Sequence, residues 1–159
     1  MNNALMNKLL FVQTNAGKEV DISVVGTSMC PTLYENDEVT VKKFDDYVVG
    51  DILVFTYKSG ELLVHRLLKK EKDKYFCKGD NAFRLVDIVK EQIAGKVIRL
   101  NGQPIAPCSQ LLISLSYLVN RTFVKCGYDT QKVKSTPIYK HYQRIILEKE
   151  EKNDDLQKE

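Results

Sequence analysis

The sequence predicts a mainly β fold, in which a compact β domain carries a short N-terminal helix and C-terminal helices. Three observations predict it. Short apolar stretches of strand length, separated by turn-forming residues, follow one another from Val20 to Ile105. No segment between them has the length of a crossover helix, which parallel strands require. Beyond Pro107, apolar residues recur at helical spacing instead.

Length and charge fit a single globular domain. The chain has 159 residues, of which 43% are hydrophobic and 28% are charged, and this length supports one core rather than two. Its 24 basic and 21 acidic residues are interspersed and leave a net charge of +3. Because a nucleic-acid partner requires a clustered basic face, none is predicted.

Cysteine and histidine usage gives no support to a metal site. The four cysteines have no CxxC spacing, and there are only two histidines, so neither a zinc site nor a cofactor is predicted. No apolar run approaches the ~20 residues of a membrane-spanning helix, and no secretory signal is evident. We therefore expect a cytoplasmic protein without a membrane anchor.

The N-terminal segment, residues 1–17, is predicted to form a helix. Its apolar residues, among them Leu5, Leu9 and Val12, lie near helical spacing, and Gly17 follows the last of them.

The β domain is predicted over residues 18–107. Apolar and polar residues alternate along its strands, and Ser59–Gly60 and Asn101–Gly102 are typical hairpin turns. The seven predicted strands are Val20–Val24, Val39–Lys42, Asp51–Lys58, Glu61–Lys69, Lys74–Lys78, Ile93–Leu100 and Gln103–Ile105.

A helical extension is predicted over residues 108–150, with helices at Gln110–Lys125 and Ile138–Lys152. Residues 151–159 mix charges of both signs and are predicted to be a disordered tail. The most apolar run, Leu111–Val119, is expected to pack against the core. Peripheral contact with a membrane surface through this run is the alternative.

Residues 26–33, GTSMCPTL, raise the question of a nucleophile. Gly26 before Ser28 and Pro31 after it predict a constrained bend that holds one small polar side chain at a fixed angle. A bend of this kind suits a structural turn as well as a catalytic serine. A serine needs a base, which histidine supplies near neutral pH.

His65 and Asp80 are the candidates to complete such a site. A carboxylate can hold an imidazole in the required tautomer. Each residue also has a structural interpretation, because His65 lies among leucines of a predicted strand and Asp80 lies in a GDN turn. A histidine base with an ordinary pKa near 6.5 predicts activity that rises between roughly pH 6 and 7.

Four motifs in order decide between these interpretations. GTSMCPTL is followed by GDILVF paired with LLVHRLL, then by KGDN, then by IAGKVIRL. This succession resembles the signal peptidase I family of serine proteases over more than half of the chain. The resemblance implies that Ser28 is the nucleophile, that His65 is the base where many relatives have lysine, and that Asp80 is its acidic partner. Asp87 is a second acidic candidate.

The resemblance also implies an oxyanion site and a substrate cleft. The Ser28 N–H is the natural oxyanion donor, with Gly26 and Thr27 as support, because Gly26 replaces a hydroxyl residue that many relatives use. Met29 is expected to shape the cleft. The implied substrate is a peptide or preprotein, cleaved after a small side chain to remove a leader or signal segment.

The chain departs from signal peptidases because no membrane anchor is seen, and it looks more like soluble peptidases of the S24/S26 type. Self-cleaving repressors share the expected signal-peptidase/repressor-protease-like fold, but the segment before Val20 is too short for their DNA-binding domain. The alternative function is a non-catalytic module that binds a peptide or partner in the same groove. The oligomeric state is not predicted.

Overall fold

Eight strands form one antiparallel sheet in the computed structural model, which describes residues 3–158 apart from the side chains of residues 153 and 156–158. The ends of the predicted N-terminal helix and tail, residues 1–2 and 159, lie outside the described residues. The strands are β1 (Val20–Ser23), β2 (Glu38–Lys42), β3 (Ile52–Thr56), β4 (Leu62–Glu71), β5 (Lys74–Lys78), β6 (Val86–Val89), β7 (Ile93–Leu100) and β8 (Gln103–Pro104). Their order is β1-β2-β7-β3-β4-β5-β6, with β8 paired to β7. The predicted mainly β fold is confirmed.

β6 lies in a stretch for which the pattern predicts no strand. Val86 and Ile88 alternate there with Asp87, but four residues are too few for periodicity to stand out. Pairing with β5 stabilises the strand, with Ile88 opposite Tyr75. A 3-10 turn at Lys90–Gln92 then leads into β7.

The two faces of the sheet carry separate apolar cores. The first core includes Leu10 of the N-terminal helix α1 (Asn3–Asn15), and Val64 of β4 packs against it. The second core includes Leu67 of β4, with Leu63 packed beside it. Consecutive residues of β4 therefore point to opposite faces, as the pleat of a strand requires.

Three helices follow the sheet and share a third core. They are α2 (Gln110–Lys125), α3 (Thr130–Lys134) and α4 (Pro137–Lys158). α2 has its predicted bounds, and Ser109 caps it by accepting a hydrogen bond from the Leu112 N–H. The prediction lacks α3, and residues 151–158, predicted to be a disordered tail, are helical. Strong helix formers without glycine or proline let α4 continue through this segment.

The apolar run Leu111–Val119 lies within α2, and most of it is buried. Leu112, Leu115 and Val119 belong to the third core, as expected for packing rather than membrane contact. Among residues 3–158, no helix is both long enough and apolar enough to cross a membrane.

Candidate active site

Ser28 lies in a bend between β1 and β2 that two backbone hydrogen bonds close. The Val24 N–H donates to the Asp37 carbonyl at 2.8 Å, and the Asn36 N–H donates to the Val24 carbonyl at 2.9 Å. Gly26 has a φ of 81°, a left-handed conformation that favours glycine. The bend therefore has a defined shape, and the Ser28 side chain remains half-buried at its surface.

The KGDN turn (Lys78–Asn81) packs directly against this bend. The Asn81 N–H donates to the Ser28 carbonyl at 2.8 Å, and the Asn81 side-chain amide donates to the Thr27 carbonyl at 3.2 Å. A Cβ at Gly79 would lie only 2.4 Å from the Ser28 carbonyl oxygen. Glycine at this position is what allows the turn to approach the serine backbone so closely.

Asp80 is buried and forms a bidentate ion pair with Arg66. Arg66 Nε donates to Oδ1 at 2.9 Å and Nη2 donates to Oδ2 at 2.8 Å, while the Thr32 hydroxyl donates to Oδ2 at 2.5 Å. Burial acts to raise the pKa of the Asp80 carboxyl, but Arg66 and Thr32 outweigh it and hold that pKa below its usual value. The Asp80 N–H also contacts Met29 Sδ at 3.4 Å, and Met29 is buried in the first core.

His65 is buried on the other face of β4. Its ring meets Phe55 edge-on, with 5.9 Å between ring centroids, and only 8% of the residue is exposed. Nδ1 is enclosed and has no hydrogen-bond partner among the described residues. Burial, the largest cause, and the Lys78 charge together lower the pKa of His65 to about 4, against the opposing effect of the Asp80 charge.

The predicted residues are thus brought together only in part. Ser28 and Thr27 contact Asn81 of the KGDN turn and Met29 contacts Asp80, but residues 3–158 include no hydrogen bond from His65 to Ser28 or Asp80. The reason for Asp80 is geometric: it binds Arg66, and neighbours on a strand point to opposite faces.

Asp87, the second acidic candidate, also lies away from the imidazole. It is exposed on β6, two strands from β4, where its carboxylate accepts a hydrogen bond from Lys74 Nζ at 3.2 Å.

A family comparison agrees with this arrangement of strands, bend and turn. The model of the Peptidase S24-like family matches residues 5–98, more than half of the chain. The chain belongs to the Peptidase S24-like family. No curated protein was found to match it. The match covers α1 and the strands up to β7 and ends before the three C-terminal helices.

In the S24-like domain, the backbone N–H groups at the serine lack a hydrogen-bond acceptor. Across the described part of the chain, neither the Ser28 nor the Thr27 N–H donates to a protein acceptor. An unpaired N–H on the residue of a candidate nucleophile is the type of donor that can stabilise an oxyanion. Gly26 supplies the backbone conformation of the bend, as described above.

The S24-like domain also has a free strand edge beside His65. β3 pairs with β4 from Leu62 onward, whereas β5 pairs with it only from Arg66 onward. Within residues 3–158, the segment Leu62–His65 therefore has a strand neighbour on one side only. Val64 in this segment and Ile22 in β1 are half-buried and pack against the first core.

Four polar residues around the site carry no role in the sequence-based assignment: Thr32, Arg66, Lys78 and Tyr142. Arg66 follows His65 in the VHR motif, and Lys78 is the first residue of KGDN. The sequence alone does not show which residue either side chain binds. Lys78 is fully buried; its Nζ donates to the Ser116 hydroxyl at 2.9 Å and to the Gly79 carbonyl at 3.1 Å.

A cavity of about 500 Å³ lies next to the site rather than at it. The loop after the serine, the β7–β8 hairpin and α4 enclose it, and Arg66 lines it. Neither Ser28 nor His65 is among its lining residues.

Proposed function

We propose that the chain is a serine endopeptidase of signal peptidase type, which removes a leader or signal segment from a peptide or preprotein. Ser28 is the nucleophile and His65 is the general base. The observation that carries the proposal is the serine bend, in which Asn81 binds the Ser28 carbonyl while the Ser28 N–H stays unpaired. This arrangement presents a hydroxyl and an oxyanion donor from the same residue.

In the proposed mechanism, the Ser28 hydroxyl attacks the peptide carbonyl while His65 takes its proton. A pKa of about 4 keeps the imidazole neutral, and able to accept that proton, throughout the neutral range. Nδ1 is enclosed, so Nε2 is the nitrogen that accepts. Catalytic hydrogen bonds often tighten only when substrate binds, and the proposal requires this of Ser28 and His65.

The proposed mechanism also implies a slow enzyme. An imidazole with a lowered pKa is a weak base, and no carboxylate of the described residues holds its Nδ1. In serine proteases, disrupting the role of the carboxylate lowers kcat by about 10⁴. Asp80 acts here on the serine bend, through Arg66 and Thr32, and on His65 only through its charge.

Substrate recognition is proposed at the free edge of β4. An extended peptide can add there as a further strand, with main-chain hydrogen bonds for affinity and side-chain pockets for specificity. Val64 on this edge and Ile22 on β1 are half-buried apolar residues that pack against the first core, and we assign the contacts to small apolar side chains of the peptide to them. In the run Leu111–Val119, the exposed apolar residues available for peripheral membrane contact are Leu111 and Leu118.

A second candidate function is a non-catalytic module that binds a peptide along the same edge. The missing hydrogen bond between Ser28 and His65, together with the engagement of Asp80 by Arg66, favours it. Such a module has no activated hydroxyl. Both functions predict peptide binding, but only the peptidase predicts a serine that reacts with a serine-directed reagent.

Labelling with a serine-directed phosphonate tests the proposal. Wild type, Ser28→Ala and His65→Ala are compared, and mass spectrometry locates the adduct. Ser23→Ala is the matched control, because Ser23 is an exposed serine at the end of β1, five residues before the bend. We expect an adduct on Ser28 in wild type and Ser23→Ala and none in His65→Ala. An adduct that forms equally without His65 contradicts its role as base.

A peptide-cleavage screen follows on the same four proteins. Turnover by wild type that Ser28→Ala lacks supports the peptidase. Binding of extended peptides without turnover or labelling favours the non-catalytic module.

A further inference from the structure

Two of the three C-terminal helices, α2 and α4, contact residues 78–83, the segment that packs against the serine bend. The Tyr142 hydroxyl on α4 donates to the Asp80 carbonyl at 2.7 Å, and Ser116 on α2 accepts from Lys78. One turn further along α2, the Asn120 side-chain amide donates to the Phe83 carbonyl at 2.9 Å. These hydrogen bonds place residues 78–83 between the helices on one side and the serine bend on the other.

The helix side of these contacts is well packed. Tyr142 is 1% exposed and Ser116 is 1% exposed. The Lys78 ammonium lies 5.2 Å from the centre of the Tyr142 ring, a cation–π distance. Hydrogen bonds in such a setting fix geometry strongly, because each buried polar group has no water to replace its partner.

The opposite side of residues 78–83 packs against Ser28. Asn81 donates to the Ser28 carbonyl, and Gly79 lies against it. A displacement of the Asp80 peptide would therefore move the residues on either side of it, both of which contact Ser28.

We propose that α2 and α4 support the active site, and that Tyr142 is a positioning residue that holds the KGDN turn, and through it Ser28, in place. This rests on the proposed function. The family match ends at residue 98, so the contribution of the helices is a feature of this chain beyond the matched region.

Tyr142→Phe tests the proposal, since it removes one hydroxyl and keeps the ring. Tyr139→Phe is the matched control: Tyr139 lies on the same helix and packs against Phe83, but its hydroxyl makes no hydrogen bond among the described residues. Val133→Ala is the stability control, because it loosens the third core without touching the KGDN turn.

Two readouts are measured on the full chain. For peptide cleavage, we expect Tyr142→Phe to lower kcat about tenfold with KM unchanged, as for loss of alignment rather than of binding. For amide hydrogen exchange, we expect about tenfold faster exchange at the Asn81 N–H, which reports the turn without any need for activity. Both controls should leave both readouts near wild type.

The outcomes separate this proposal from the proposed function. If Val133→Ala reproduces the effects of Tyr142→Phe, the helices act through general stability and the proposal is overturned. Unchanged kcat and exchange in Tyr142→Phe also overturn it. If wild type neither cleaves nor labels, the peptidase proposal fails, and exchange at Asn81 alone decides whether Tyr142 positions the turn.

Discussion

Arg66 and His65 are neighbours on β4 and are both buried, yet they differ in whether their polar atoms have hydrogen-bond partners. Arg66 donates two hydrogen bonds to Asp80 and a third, from Nη1, to the Gly50 carbonyl at 2.9 Å. The imidazole Nδ1 of His65 has no hydrogen-bond partner in the part of the chain that the structure describes. One face of β4 therefore carries the hydrogen-bonded ion pair of Arg66 with Asp80, and the other carries an imidazole whose Nδ1 is unpaired.

The difference separates a structural role from a functional one. A buried ion pair in which each guanidinium nitrogen has an acceptor organises its surroundings, and here it joins β4, the KGDN turn and the loop after Ser28. A buried polar atom without a partner destabilises a fold and therefore requires an explanation. In the proposed mechanism, the role of His65 is to accept a proton rather than to stabilise the fold.

The largest expected effect comes from breaking the ion pair. Arg66→Met leaves the Asp80 carboxylate buried without its partner, which should lower the free energy of unfolding by about 3–5 kcal/mol. Urea denaturation measures it. Arg99→Met is the control, because Arg99 pairs with Glu19 at a largely solvent-exposed site and should lose at most about 1 kcal/mol. Equal small losses in both variants would show that the buried pair is not structural.

The next effect concerns His65 and pH. The pKa of His65 is about 4 in the folded chain against about 6.5 when unfolded, so the unfolded state binds more protons between these values. The stabilisation is complete above pH 6.5 and is lost as the pH falls through 4, by about 3 kcal/mol.

Comparison with His65→Leu isolates this contribution from that of the carboxylates. Urea denaturation at pH 7 and pH 4.5 should show a smaller loss for His65→Leu than for wild type. His141→Leu, which replaces the other histidine, is the substitution control. Parallel losses in wild type and His65→Leu would mean that the buried imidazole does not have a lowered pKa.

Gly79→Ala tests the close contact between the KGDN turn, which carries Asp80, and the Ser28 carbonyl. The added Cβ would meet the Ser28 carbonyl oxygen, so we expect a loss of about 1–3 kcal/mol from overpacking together with reduced phosphonate labelling. Gly60→Ala is the control: Gly60 has a φ of 76° but open space around it. It should also destabilise the chain and leave labelling unchanged. Full labelling of Gly79→Ala would contradict the close approach.

The smallest expected effect is the change in rate near neutral pH. Because the pKa of His65 is about 4, kcat/KM should be flat from pH 6 to 8 and should fall only towards pH 4. This replaces the rise between pH 6 and 7 expected of an ordinary histidine. A midpoint near 6.5 in the measured kcat/KM profile would contradict this, because kcat/KM reports the free enzyme and the imidazole would then have an ordinary pKa.

Most local structure was predictable because its causes are local. The helical spacing in α1 and α2 and the hairpin residues Asn101–Gly102 are visible within a few positions of the chain. β6 and α3 escaped prediction because each is only four or five residues long. The last turns of α4 were misjudged because mixed charge is typical of both a tail and a solvated helix.

The candidate site was predictable in its members but not in their pairing. The motifs single out Ser28, His65 and Asp80, and the Peptidase S24-like match agrees with the fold around them. They do not reveal that Asp80 binds Arg66, since that depends on which face of β4 each side chain occupies. They also give no sign of Tyr142, which lies 62 residues from Asp80 in sequence.

Most of the strands, the serine bend and the chemical types available for catalysis follow from the sequence alone, because periodicity and turn chemistry act over short distances. Only the tertiary structure decided which carboxylate meets which cation, why His65 is left without a partner, and how α2 and α4 reach the KGDN turn. Those contacts join residues far apart in the chain, and a strand sends neighbouring side chains to opposite faces. Their pairing is therefore set by packing rather than by motif.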